Sequence, residues 1–106
     1  MPDENPKPPA NVAANAKHGL ALRKQHNRGG TEVGVARARQ LGDRKPQSPK
    51  DVDRMVSYFA RHAVDKDAPK FGDDADPSAG YVAWLLWGGD AGQAWATEQK
   101  EKRNGA

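Results

Sequence analysis

The chain has 106 residues, of which 36% are hydrophobic, and it carries a formal net charge of +3. This length fits a single domain with a modest core. The absence of cysteine excludes a disulfide framework and a thiolate metal site, and it is typical of a reducing compartment.

The sequence offers no sign of membrane contact. Its first residues lack a charged region followed by an apolar run, so we expect no signal peptide. The densest apolar run, residues 81 to 87, is too short to cross a bilayer. We therefore expect a cytoplasmic protein.

Charge is unevenly distributed along the chain. Residues 17 to 50 hold nine Lys and Arg residues against Glu32 and Asp43. Residues 51 to 80 hold seven aspartates against four Lys and Arg residues. The basic segment favours a polyanionic partner, or a protein partner with the reverse charge pattern.

A polar arm and two basic helices come first. Residues 1 to 9 contain four prolines among charges and are predicted to form a disordered arm. Residues 10 to 27 show three- and four-residue apolar spacing, which predicts a helix that ends before a Gly-Gly pair. Thr31 is the predicted N-cap of a second helix, which ends near Leu41.

The third helix has the clearest start signal. Ser48 suits the N-cap, Pro49 suits the first helical position and Asp51 stands at the third. The following apolar residues recur at three- and four-residue spacing, which predicts an amphipathic helix to about residue 63. An acidic loop, residues 64 to 76, comes next.

All three tryptophans lie within residues 77 to 96. Asp76 is the predicted N-cap of a helix that begins at Pro77, and Asp90 is the predicted N-cap of the next one. A helix that is apolar on nearly all sides must be buried, so the tryptophans are predicted to form the core. The alternative is an exposed aromatic platform for a ligand or partner.

These elements predict an all-α single domain of four to five short helices packed around a Trp-rich C-terminal helix pair. The helical domain spans residues 10 to 98, and residues 99 to 106 are predicted to be a frayed tail. The predicted core combines the tryptophan helices with the apolar faces of the earlier ones: Leu20, Val52, Met55, Val56, Phe59, Trp84, Leu85, Trp87 and Trp95.

Three segments carry a family resemblance: NRGGTEVGVARARQL at 27 to 41, VDRMVSYFARHAVDK at 52 to 66 and PSAGYVAWLLWGGDAGQAWA at 77 to 96. Together they resemble a small module encoded in tailed-bacteriophage and prophage genomes, over residues 12 to 97. That module occurs alone or attached to phage proteins, including ones near head-assembly and prohead-protease genes. The resemblance implies a phage setting, in the host cytoplasm or associated with the virion. It implies no activity and no catalytic residue.

The basic segment holds the candidate nucleic-acid contacts. Two short Arg- and Lys-rich helices joined by a glycine turn superficially resemble a helix-turn-helix arrangement. Phosphate contacts need charge and little sequence information, so we predict non-enzymatic binding of DNA or RNA. The candidate residues are Arg23, Lys24, Arg28, Arg37, Arg39, Arg44 and Lys45. The alternative is a protein-interaction or assembly module that docks on a phage or host protein.

Other residue groups give weaker signals. His18 and His26 are eight residues apart, which is not a spacing of helical metal ligands. The aspartates of residues 64 to 76 do not match a calcium-binding EF-hand loop, so a solvated loop is favoured over a divalent-ion site. Ser48 and Ser78 stand at helix starts without a neighbouring base. We therefore predict no catalytic residue, no metal and no cofactor.

Overall fold

The described part of the chain, residues 5 to 105 of a computed structural model, has helices as its regular secondary structure and contains no strand. This confirms the predicted all-α fold. None of the described helices is both long and apolar enough to span a membrane. The elements are α1 (Ala10–His26), α2 (Glu32–Gly42), α3 (Pro49–His62), a 3₁₀-helix (Ala63–Asp67), α4 (Ala79–Leu86) and α5 (Gly89–Arg103).

The helices form two packed groups that share the Trp-rich pair α4 and α5. Helix α1 packs mainly against α2 and α4, and α3 packs mainly against α5. The approach of α1 to α4 is close, since a Cβ atom at Gly19 would lie 2.8 Å from the backbone nitrogen of Leu86. Gly88 and Gly89 join α4 to α5 with positive φ angles, which glycine adopts without steric strain.

An aromatic cluster forms the centre of the core. Trp84 is 2% exposed, and its ring meets that of Phe59 edge-on with 4.8 Å between ring centroids. Trp87 and Trp95 are also buried. The prediction of a tryptophan core is therefore confirmed, and the alternative of an exposed aromatic platform is wrong.

Three predictions about the core need correction at single residues. Leu20 and Val56 are only partly buried and pack against the edge of the core. Tyr58 was not predicted to be in the core, yet it is 5% exposed. It lies six residues after Val52, outside the regular apolar spacing, and it is buried because Trp87 lies against it.

Local capping signals place the starts of α2 and α3 correctly. The Thr31 hydroxyl accepts a hydrogen bond from the Gly34 N–H at 3.2 Å. Ser48 and Asp51 form a reciprocal capping box, with both hydrogen bonds at 3.1 Å. These caps depend on residues three apart in sequence, which is why the sequence predicts them.

The predicted starts of the two Trp-rich helices are each displaced. Ser78, not Asp76, is the N-cap of α4, and its hydroxyl accepts from the Tyr81 N–H at 3.1 Å. Helix α5 begins one residue before Asp90. The Asp90 carboxylate accepts from the Trp84 indole N–H at 2.8 Å, so it serves a tertiary contact rather than a cap.

The predicted disordered arm is ordered where the structure describes it. Residues 1 to 4 lie outside the described part. Within residues 5 to 9, Pro8 is fully buried and the Pro6 carbonyl accepts a backbone N–H hydrogen bond of 2.9 Å from the loop before α3. The segment therefore packs on the helical body, because its prolines supply apolar surface and free carbonyl groups.

The predicted tail of residues 99 to 106 is also mostly helical, up to the last described residue, 105. Helix α5 continues to Arg103, whose guanidinium donates to the Pro49 carbonyl at 3.2 Å and to the Asp53 carboxylate. The boundary at residue 98 is therefore too early, because contacts with α3 hold the last turns of α5.

Candidate functional site

Arg37, a predicted nucleic-acid contact, is buried inside the protein. Its side chain is 6% exposed, and its Nη1 atom donates to the Gln47 Oε1 atom at 2.6 Å. The same nitrogen lies 3.1 Å from the Asp51 Oδ1 atom, and the guanidinium lies 5.7 Å from the centroid of the Trp87 ring. The prediction of an exposed Arg37 is therefore wrong, because this face of α2 turns towards α3.

Three more of the candidates donate hydrogen bonds within the protein. Arg23 donates through Nε to a carbonyl of the glycine turn at 3.0 Å, and Arg44 donates through Nε to the Pro8 carbonyl at 2.8 Å. Arg28 donates through Nη1 to the Asp76 Oδ1 atom at 3.0 Å. Arg44 also lies beyond the end of α2 with a φ of 54°, so it does not extend a helical stripe of arginines.

Lys24, Arg39 and Lys45 are the remaining candidates. All three are exposed, and their side chains have no hydrogen-bond or ion-pair partner among residues 5 to 105. They stay predicted contacts for a polyanion. Arg23 and Arg44, by comparison, each use only the Nε–H of the guanidinium in their bonds to carbonyl groups.

The aspartates of the acidic loop fasten it to the helices. The Asp74 carboxylate accepts from the Tyr81 hydroxyl at 2.7 Å and lies 3.2 Å from the Nε2 atom of His18. The hydrogen bond from Arg28 is the largest of the effects that hold the pKa of Asp76 below its usual value. In the described part of the chain, no three His, Asp or Glu side chains are placed to hold a metal ion.

An open groove separates α2 from α3. No Cα atom of one helix lies within 8 Å of a Cα atom of the other. The space between them encloses about 710 Å³, and the start of α4 forms its third side. A volume of this size lies within the range of about 300 to 1,000 Å³ that is usual for ligand pockets.

The α3 wall of the groove is a stripe of polar side chains on one helix face. Lys50, Arg54, Ser57 and Arg61 line the groove at spacings of four, three and four residues, which places them on one side of a helix. Across the groove, Val33 of α2 is 65% exposed. The groove thus has one cationic wall and one apolar edge.

The floor of the groove consists of stacked aromatic rings. Tyr58 and Trp87 are almost parallel, with 7° between their planes and 4.7 Å between their centroids. His62 stacks on Tyr58 at 4.5 Å, and the Arg37 guanidinium lies over Trp87. The faces of the Tyr58 and Trp87 rings are therefore covered by these neighbours, and the floor offers ring edges together with Ala83.

One polar atom beneath this floor has no partner. The Tyr58 hydroxyl is buried and makes no hydrogen bond with any described residue. Burial, aided by the negative charge of Asp65, raises the pKa of Tyr58 well above its usual value. The phenol is therefore neutral at all physiological pH values.

The two carboxylates that line the groove each contact a side chain of the protein itself. Asp53 accepts from Arg103 of α5, and Asp65 lies 3.2 Å from the Nδ1 atom of His62. By contrast, Lys50 and Arg54 have no side-chain partner among the described residues, and Arg61 donates only to the Ser57 carbonyl, at 3.4 Å. The free charge of the groove is therefore positive.

A buried polar network links α2 to the start of α3. The Arg37–Asp51 ion pair joins α2 to α3 there, and Gln47 is fully buried beside it. Burial would raise the pKa of Asp51, but hydrogen bonds from Ser48 and the positive charge of Arg37 outweigh it and lower the pKa. This network is the side-chain link between α2 and the first turn of α3.

Sequence reasoning placed Arg54 and Arg61 on an exposed helix face but did not predict a groove beside them. Two residues gave weak signals of a groove in the sequence. Val33 is an apolar residue outside the apolar stripe of α2, and Tyr58 is an aromatic residue outside the apolar stripe of α3. Val33 and Tyr58 both border the space between two helices. The spacing of apolar residues within one helix predicts which face of that helix is buried, but it does not predict how far away the next helix lies.

Comparisons with known proteins give no relative for this chain: no family model, no curated protein and no solved structure matches it.

Proposed function

We propose that this chain is a non-enzymatic protein-interaction module whose α2–α3 groove receives a segment of a partner protein. The supporting observation is the groove itself, a space of about 710 Å³ with an aromatic floor between two helices that do not touch along their backbones. Exposed apolar surface rimmed by polar residues is typical of interaction sites.

The distribution of used and unused charges favours this function over nucleic-acid binding through the basic segment. Arg23, Arg28, Arg37 and Arg44 all donate to groups of the protein itself. Arg37 is buried and Arg28 is ion-paired with Asp76, so contact of either with phosphate would cost an existing interaction. The rim cations Lys50, Arg54 and Arg61 have no carboxylate partner in the described chain, and of the three Arg61 alone donates within the protein, to the Ser57 carbonyl at 3.4 Å.

The family resemblance adds a setting to this proposal. A small module that accompanies phage head-assembly proteins would act by docking on another phage or host protein, in the host cytoplasm or on the assembling virion. The groove is the surface that we assign to this docking.

The proposal is tested by filling the groove. Ser57 is exposed on the α3 wall, so Ser57→Trp places a large side chain in the groove without disturbing the core. Gln25→Trp, on an exposed position of α1 outside the groove, is the matched control. A random peptide library displayed on phage is selected on immobilised wild-type protein, and the enriched pool is tested on both variants. We expect binding to persist on Gln25→Trp and to be lost on Ser57→Trp.

Two results would contradict the proposal. One is a peptide pool that binds Ser57→Trp as well as wild type. The other is the absence of any enriched pool combined with a DNA or RNA gel shift that disappears when Lys24, Arg39 and Lys45 are changed to alanine. The second result would establish the nucleic-acid interpretation, through the three exposed candidates.

A further inference from the structure

We infer that the occupant of the α2–α3 groove is an acidic peptide segment of a partner protein, with an apolar side chain on the groove floor and carboxylates along the α3 rim. This inference rests on the proposed function and specifies the chemistry of the partner. Three observations support it: the unpaired cations Lys50, Arg54 and Arg61 on the rim, the distance over which these cations extend, and the orientation of the aromatic rings in the floor.

The free charge of the groove selects an anionic partner. Lys50, Arg54 and Arg61 are cations without a carboxylate partner in the described chain, whereas Asp53 is paired with Arg103 and Asp65 lies 3.2 Å from the His62 Nδ1 atom. Across an interface, opposite charges steer association and like charges suppress wrong partners. A segment with glutamate or aspartate side chains therefore suits this rim, and a basic segment does not.

The cations are spread along the groove rather than gathered at one point. Lys50, Arg54 and Arg61 lie on one face of α3 over roughly 16 Å, at about 1.5 Å of helix rise per residue. A single phosphate or carboxylate would reach one of them, whereas a peptide of a few residues would reach all three. The length of the stripe thus favours an extended polymer over a small anion.

The floor distinguishes a peptide from a single-stranded nucleic acid. Bases bind such proteins by stacking on exposed aromatic faces. Here the faces of Tyr58 and Trp87 are occupied by each other, by His62 and by Arg37. Ring edges carry the positive end of the aromatic quadrupole, and they suit aliphatic groups and carboxylate or carbonyl oxygens.

A second copy of this chain fits the groove less well. Its acidic segment is the loop of residues 64 to 76, but three of the five loop carboxylates, Asp73, Asp74 and Asp76, are tied to Lys70, His18 and Arg28 within the same molecule. Docking of one copy on another would break these contacts. The occupant is therefore assigned to a different protein.

The inference is tested by the charge of the peptides that the groove selects. Wild type is expected to enrich peptides rich in Asp and Glu that contain an apolar residue. Arg54→Glu with Arg61→Glu reverses two rim charges, both at exposed positions. We expect the affinity for the best acidic peptide to fall at least about tenfold, because like charges then face each other. Lys24→Glu with Arg39→Glu makes the same change in net charge outside the groove and should leave that affinity within about twofold.

The possible outcomes separate the two proposals. One outcome is that the enriched peptides lose binding to Ser57→Trp and yet are neutral or basic. That result overturns the inference of an acidic partner and leaves the proposed docking function in place. Equal losses in both charge-reversed pairs show a non-specific effect of net charge and overturn the assignment to the rim. Displacement of the peptide by a single-stranded oligonucleotide at equal concentration, or dimerisation that competes with the peptide, overturns the choice of occupant. If the charge-reversed pair does not fold, Arg54→Gln with Arg61→Gln replaces it. An unchanged affinity of that variant for the acidic peptide overturns the assignment of the peptide carboxylates to the α3 rim.

Discussion

Arg37 of α2 differs from the arginines of α3 in what surrounds it, although all of them are cations on short helices. On α2, Arg37 is buried between Asp51 and the Trp87 ring. On α3, Arg54 and Arg61 are exposed on the rim of the groove. The difference shows that a high count of basic residues does not measure the charge that a partner can use. The free charge is what remains after the protein has paired its own groups.

The largest expected effect concerns Arg37. Arg37→Ala should lower the free energy of unfolding by about 3 to 5 kcal/mol, because it leaves a partly buried carboxylate and a buried amide without their partner. Arg39→Ala, two residues away and exposed, should change it by no more than about 0.5 kcal/mol. Urea denaturation of both variants measures the difference. Equal stabilities would mean that Arg37 is not part of the fold.

A second effect is the acid sensitivity of the same network. Because the pKa of Asp51 is lowered in the folded protein, its contribution is complete above the usual value of 3.8 and is lost as the pH falls through the lower folded-state pKa. Asp51→Asn should therefore be less stable than wild type at neutral pH, with a difference that shrinks at pH values below 3.8. Denaturation at a series of pH values measures this. A constant difference across the series would show that the Asp51 charge is not involved.

A smaller effect is expected for the exposed ion pair of Arg28 with Asp76. Both side chains are about half exposed, at 46% and 52%, and such surface pairs contribute about 0 to 1 kcal/mol. Arg28→Ala should cost no more than that, and the cost should decrease at high salt because exposed charges are screened. Arg54→Ala, on the groove rim, serves as the control, with a change within about 0.5 kcal/mol at every salt concentration. A large, salt-independent loss for Arg28→Ala would place it with Arg37 as a structural residue.

The smallest expected change is that of Tyr58→Phe. The Tyr58 hydroxyl is buried without a partner, so its removal takes no hydrogen bond from the folded protein. We expect the free energy of unfolding to stay the same or to rise by up to about 1 kcal/mol, as measured by urea denaturation. Tyr81→Phe removes a hydroxyl that donates to Asp74 and should be neutral or slightly destabilising. A clear loss of stability in Tyr58→Phe would reveal a hidden hydrogen bond of the hydroxyl.

The sequence by itself determined the elements that depend on neighbouring residues. The capping box of Ser48, the cap of Thr31 and the amphipathic spacing of α3 are contacts over three or four residues, and so they are visible in the sequence. The burial of the tryptophans followed for the same reason, because a helix that is apolar on nearly all sides has no stable place in water.

Tertiary structure alone decided which charges are free and where a partner can bind. Arg37 and Arg54 are chemically identical, and the contact of Arg37 with Asp51 became possible only when α2 and α3 were placed side by side. The groove exists because the backbones of the same two helices stay apart while the Arg37 and Asp51 side chains span the space between them. Such a gap is a property of helix packing, which is set by contacts with α1, α4 and α5 that are distant in the sequence.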